Sequence, residues 1–230
     1  MRLPVIFLDE QSVRLIKSLC KCEGKRYIEV SGFRTEDMKR IAVYCGSCMG
    51  NRVEYRQAAE ELGHLMASRN IGLVYGGGRV GLMGAIAKAV LDDGGEAIGV
   101  IPRFLEKEEI VHRHLTQLHL VDTMHQRKMK MAELADGFIA LPGGFGTLEE
   151  WFEMLTWAQI GHHQKPVALL NVSGYFDPLL EMINRGYEER FIRPEFRDMI
   201  IKDSDASKLL DRMESFKPIK LEKWSGLEKV

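Results

Sequence analysis

No apolar stretch in this sequence is long enough to cross a bilayer. The longest, such as Gly137 to Pro142, fall far short of the roughly 20 residues a spanning helix needs. Nor is there an excess of charge of either sign. Lysine plus arginine (32) almost cancels aspartate plus glutamate (33), so the chain lacks the basic field that would hold a polynucleotide by counterion release. Neither a membrane nor a nucleic acid is an expected partner. Nor is an export signal expected: Met1-Arg2-Leu3-Pro4-Val5-Ile6-Phe7-Leu8 begins like one, but Asp9 and Glu10 end the run and no small-residue cleavage site follows. The expected location is the cytoplasm. Cysteine is scarce, at four residues in two close pairs, Cys20 with Cys22 and Cys45 with Cys48. In a chain without an export signal such pairs suggest thiol, metal or redox chemistry before structural disulfides.

What the sequence does contain is alternation. At 230 residues and 45% hydrophobic content, one large core is within reach. Short runs rich in Val, Ile and Leu at 41–45, 71–75, 97–101, 118–121, 137–141 and 166–170 read as strands. Amphipathic stretches at 53–69, 80–93, 123–135, 147–160, 174–190 and 204–214 read as helices. A βαβ succession closes most simply as a parallel sheet with helices on both faces, a Rossmann-like doubly wound α/β domain over residues 41–215. Residues 1–40, with an apolar-periodic stretch at Val13, Ile16 and Leu19 and a candidate strand at Tyr27 to Val30, read as an accessory segment. Residues 216–230, with Trp224, read as a tail.

The unusual residues all follow strands, so they converge on the carboxyl edge of the sheet, where open α/β sheets bind ligands. Tyr75 to Gly84 carries G-x-G-x-x-G at Gly76, Gly78 and Gly81, between a strand and a helix. Glycine there, including Gly77, lets the backbone approach a phosphate, although a turn needed only for helix–sheet packing would look the same. NAD is disfavoured, because the next strand ends in Pro102-Arg103 and not in an acidic residue for the ribose; Arg103 leaves NADP a weak claim. Pro142-Gly143-Gly144-Phe145-Gly146-Thr147-Leu148-Glu149-Glu150 is a second loop of this kind. Gly143, Gly144, Gly146 and Thr147 build an anion nest at a helix start. The two glutamates would repel that anion, and Thr147-x-x-Glu150 has the spacing of a capping box, so Glu150 has both a structural and a chemical reading.

On the helix before this loop, Arg127 shares a face with Met131 and Leu134, a guanidinium interrupting an apolar stripe at its carboxyl-edge end, which favours a role in the site. By spacing alone Lys128 belongs to a solvated helix face, and His125 fits a cap or a substrate contact equally well. Cys45-Gly46-Ser47-Cys48 has the placement of a redox motif, and a zinc site joining it to Cys20 and Cys22 is a second chemical reading. A third small-residue loop approaching the ligand is the preferred reading.

Together, Cys45-Gly46-Ser47, the Tyr75 to Gly84 loop, Met124-His125-x-Arg127-Lys128 and Pro142-Gly143-Gly144-x-Gly146-Thr147-x-Glu149-Glu150 closely resemble the LOG ("Lonely guy") family over about residues 40–190. Its members are cytokinin riboside 5'-monophosphate phosphoribohydrolases, long mislabelled as possible lysine decarboxylases. The resemblance implies a Rossmann-like homodimer, with hexamers also known, that splits a purine nucleoside 5'-monophosphate such as AMP into base and ribose 5-phosphate without metal or other cofactor. It puts the catalytic arginine on Arg127, the catalytic glutamate on Glu150 and the phosphate loop on Gly143 to Thr147. It implies substrate contacts at Ser47, Gly76, Gly77, Gly78, Met124, Lys128 and Glu149. Cys48, in place of a second serine, and the N-terminal extension depart from the pattern. A non-catalytic nucleotide or cofactor carrier on the same fold is the rival expectation. A pyridoxal-phosphate decarboxylase would need a Schiff-base lysine context that the sequence does not offer.

Overall fold

A computed structural model of the chain describes residues 38–106, 112 and 114–218, all inside one compact unit, Thr35–Val230. The expectations for Val13, Ile16, Leu19, Tyr27 to Val30, Cys20, Cys22 and Trp224 lie outside the described residues.

In chain order the elements are β1 (Arg40–Tyr44), α1 (Val53–Ser68), β2 (Gly72–Tyr75), α2 (Gly81–Asp92), β3 (Ala97–Pro102), α3 (Arg103–Glu106), β4 (Gln117–Val121), α4 (Met124–Leu134), β5 (Gly137–Ala140), α5 (Phe145–Gln159), β6 (Val167–Leu170), α6 (Asp177–Glu188), α7 (Pro194–Arg197), β7 (Ile200–Asp203) and α8 (Ala206–Glu214). The seven strands of the described residues are all parallel, in the order β4-β3-β2-β1-β5-β6-β7. The six expected strands are present. The seventh, β7, is an addition: Ile200-Ile201-Lys202-Asp203 is an edge strand with only Ile201 buried, and Lys202 and Asp203 cut its apolar run short.

The pleat divides the core in two. Ile41, Val43 and Cys45 join Leu62, Met66, Ile86 and Leu209 under α1, α2 and α8. Ala42 and Tyr44 join Met131, Phe138, Trp151 and Met154 under α4, α5 and α6. The alternation of successive side chains across a strand thus gives each face its own helices, as a doubly wound sheet requires.

The strand order reverses between β1 and β5. The chain leaves β1 toward β2 on one side and leaves β5 toward β6 on the other, which opens a crevice at their carboxyl ends. The two exit loops there are held together. Leu141 N–H donates to the Tyr44 carbonyl at 2.9 Å and Gly46 N–H to the Pro142 carbonyl at 3.0 Å, continuing the ladder past the ends of the strands. Leu82 N–H, at the start of α2, donates to the Gly46 carbonyl at 3.0 Å and ties in the third loop.

Candidate functional site

Three glycine-bearing loops meet in this crevice because glycine lets them meet. A Cβ on Gly81, which has φ +63°, would lie 2.2 Å from the Ser47 carbonyl carbon. One on Gly143 would fall 2.1 Å from Thr147 Oγ1 and 2.9 Å from Gly46 N. Any side chain at these two positions would push the loops apart. Gly144 and Gly146, by contrast, face open space. Gly144 is the N-cap of α5 and no side chain caps that helix, so its first-turn N–H groups point outward at the positive end of the helix dipole. The rear of the loop is braced by Tyr175, whose hydroxyl donates to the Gly143 carbonyl at 2.6 Å.

Behind the loops, α4 and α5 exchange charges. Arg127 Nη1 lies 2.9 Å from Glu150 Oε1, with the two side chains 13% and 9% exposed. Arg127 Nε donates to the Val100 carbonyl at 3.1 Å, which aims the guanidinium across the end of β3. Its Nη2 occupies the space beside Gly76, where a Cβ would come within 2.2 Å of it. Gly76 therefore makes room for an arginine. Glu150 is aimed by its neighbour: Trp151, fully buried, donates Nε1–H to the Ala168 carbonyl at 3.1 Å and fixes the rotation of α5 against β6. Burial pushes the Glu150 carboxyl above its ordinary range; Arg127 opposes that rise, Glu149 adds to it and Lys128 opposes it.

Lys128 is not on a solvated face. Its side chain is 8% exposed, and Nζ contacts Glu149 Oε1 and lies 3.1 Å from Glu153 Oε2. Burial works against its charge, but the bonds to Glu149 and Glu153 outweigh it and the ammonium is held above its usual range. The capping-box reading of Thr147 and Glu150 is also corrected. The helix begins at Phe145, three residues before the Leu148 that a Thr147 cap requires, so Thr147 is its third residue, buried, and Glu150 faces Arg127. The capping box that does exist is on α4, where Thr123 Oγ1 accepts from Gln126 N–H and the Gln126 side chain returns to Thr123 N–H. It sets the start of the helix that carries Arg127.

The remaining expected residues fall as follows. Ser47, Met124, His125, Gly144, Gly146 and Glu149 are exposed at the carboxyl edge, whereas Gly76, Gly77 and Gly78 are buried. Cys45 is a core side chain whose thiol is pushed far up by burial, the opposite of a reactive thiolate, while Cys48 is exposed; both are free. Among the described residues no group of three or more His, Cys, Asp or Glu side chains is placed to hold a metal ion, and no helix is long and apolar enough to cross a membrane. Sequence reasoning missed Glu153, Tyr175 and the Val100 carbonyl. Only the helical spacing of Glu149 and Glu153 could have hinted at a shared cation.

A family profile described as "Possible lysine decarboxylase" matches residues 83–213. The chain is 52% identical over 180 residues to a cytokinin riboside 5'-monophosphate phosphoribohydrolase of Arabidopsis thaliana, covering 78% of this chain and 84% of that one. It is 44% identical over 211 residues to a probable enzyme of the same name from Oryza sativa subsp. japonica, covering 92% and 82%. In structure it is similar to a molybdenum cofactor binding protein of Rippkaea orientalis, with TM-score 0.60 and 22% identity over 77% of this chain and 96% of that one. It is also similar to the molybdenum cofactor carrier protein of Chlamydomonas reinhardtii, with TM-score 0.59 and 18% identity over 77% and 97%. At that identity the two structures share the fold and nothing more is read from them.

Proposed function

This chain belongs to the LOG family, whose profile bears the lysine decarboxylase description, and from that premise we infer that it is a phosphoribohydrolase cleaving the N-glycosidic bond of nucleoside 5'-monophosphates. The observation that carries this reading is the buried Arg127–Glu150 pair opposite the glycine loops at the switch of strand order. Cytokinin nucleotides and AMP, both purine monophosphates, are the proposed substrates. The phosphate would sit on the outward N–H groups of α5 at Gly144 to Thr147, where the helix dipole favours it.

Breaking the bond from the anomeric carbon to the base nitrogen leaves its electron pair on the base and positive charge on the ribose. The Glu150 carboxylate stabilises that charge. Water supplies the oxygen that ends on the anomeric carbon, and a proton ends on the base. Arg127 remains charged throughout, so it orients the nucleotide and holds Glu150 ionised while the proton comes from elsewhere. The phosphate contributes binding energy remote from the reacting bond, which makes monophosphates better substrates than nucleosides.

The rival decarboxylase chemistry calls for a lysine that gives up its proton to form a Schiff base. The one lysine in the cluster, Lys128, is instead held charged by two carboxylates. A carrier has no use for a carboxylate buried against an arginine. We also propose a homodimer in the cytoplasm. Trp151 and Met154, large apolar side chains of α5, face the core. Phe152 and Ile160 remain exposed there, and Met129 on α4, for a second copy to cover. An exposed free thiol at Cys48 suits a reducing compartment.

The test is chromatography of products after incubation with AMP, its N6-isopentenyl analogue and free lysine. Free base and ribose 5-phosphate are expected from the nucleotides and nothing from lysine. Intact nucleotides, or carbon dioxide from lysine, would overturn the reading.

A further inference from the structure

We propose that Lys128 is a positioning residue for the hydrolysis: seated between Glu149 and Glu153, it offsets the charge of the two carboxylates that flank Glu150 and so keeps Glu150 ionised at neutral pH. The proposal rests on the phosphoribohydrolase reading above and assigns Lys128 a task other than touching the substrate.

The geometry is a crossed pair of charges. Two consecutive residues of α4, Arg127 and Lys128, face three carboxylates within about one turn of α5. Arg127 takes Glu150. Lys128 takes the i, i+4 pair Glu149 and Glu153, which stand on either side of Glu150 along the helix. Its Nζ is already engaged by both carboxylates and its side chain is 8% exposed, so it has little to offer a ligand in the crevice. Remove that cation and Glu150, 9% exposed, is left with one positive neighbour and two negative ones. From the sheet, Tyr44 and Cys45 also face Glu150, but burial keeps their hydroxyl and thiol protonated and they bring no charge. The balance of charge around Glu150 is therefore set by Arg127, Lys128, Glu149 and Glu153, consistent with Lys128 opposing the rise of the Glu150 carboxyl and Glu149 and Glu153 adding to it. A carboxylate that must stabilise a developing cation is useless once protonated, so the loss appears first on the acid side.

The experiment is the pH profile of kcat/KM for AMP, which reports groups of the free enzyme. In Lys128→Met the acid limb should move up by about one pH unit, an activity loss of about tenfold below the limb. Activity should recover to within about twofold of wild type well above it. Glu153→Gln, which keeps Lys128 and deletes a neighbouring charge, should move the limb the other way. The double variant should return close to wild type. An equal loss at every pH in Lys128→Met, or a higher KM with the limb unmoved, would assign Lys128 to folding or substrate contact and overturn the proposal.

A readout without turnover separates the two layers of argument. Carboxyl NMR titration of Glu150, identified by its absence in Glu150→Gln, should show the same upward shift in Lys128→Met. A wild-type protein that leaves AMP intact defeats the proposed function, while an unmoved Glu150 titration defeats the role of Lys128.

Discussion

Glu150 is the partner of Arg127 and, on the proposed function, also acts on the substrate, and the two roles separate in one substitution. Glutamine keeps a hydrogen-bond acceptor for Arg127 but leaves a guanidinium, 13% exposed, without its counter-charge. Glu150→Gln should lower stability by about 1–3 kcal/mol, more than loss of a helix cap alone would cost. Single-turnover cleavage should fall by about a thousandfold or more with nucleotide affinity largely kept, because the charge matters most in the transition state. Thermal unfolding, binding and rapid-quench kinetics on wild type and variant decide it, and cleavage at the wild-type rate would reduce Glu150 to a structural ion-pair partner. Gly76→Ala tests the other side of the same arginine. Its methyl group would need the space that Arg127 Nη2 fills, so the guanidinium must turn away from Glu150. Turnover should drop by at least about tenfold with a stability loss of about 1–3 kcal/mol. Unchanged kinetics would mean that the guanidinium has room to spare.

At the scale of elements, α4, α5 and β6 are joined by the short connection that contains His163 and Lys165. His163 Nδ1 accepts from the Lys165 N–H at 3.2 Å, which puts its own proton on Nε2, 2.9 Å from the Met154 carbonyl of α5. Lys165 Nζ donates to the Ala132 and Ala135 carbonyls at 2.8 and 2.6 Å and closes the end of α4. The imidazole is needed neutral, and burial brings its pKa down to about 4. The folded value lies below the unfolded one, near 6.5, so the unfolded chain takes up the proton first. The stability held in this connection is whole above about pH 6.5 and is lost as pH falls toward 4. Denaturation midpoints between pH 7.5 and 4.5 should fall more steeply for wild type than for His163→Gln. Parallel curves would show that His163 titrates alike in both states.

The same elements show what a reader of the sequence can and cannot see. β1 was legible because Ile41, Ala42, Val43 and Tyr44 are covered on both faces, so the run is apolar throughout. Arg127 was legible because it breaks an apolar stripe. Lys128, one residue on, was not: nothing local distinguishes a buried lysine from a solvated one when its partners lie 21 and 25 positions away on another helix. Thr147 and Glu150 misled because capping-box spacing has meaning only once the first helical residue is known, and α5 starts at Phe145.

For the molecule as a whole, the proposed dimer has a direct check. Light scattering at micromolar concentration should give about twice 26.2 kDa or a higher even multiple. A mass that stays at one chain would remove the need for a partner over Phe152 and Ile160. The way β1 and β5 remain bonded past their ends carries a further expectation. Surface loops usually surrender their amide protons to solvent within seconds to minutes, through openings that cost little. The Gly46 amide lies in such a loop, yet its proton is held by Pro142 as the next rung of the central ladder. In heavy water, with no nucleotide added, the Gly46 amide proton should persist about as long as those of the sheet interior, which would mean that the crevice floor is in place before any nucleotide arrives.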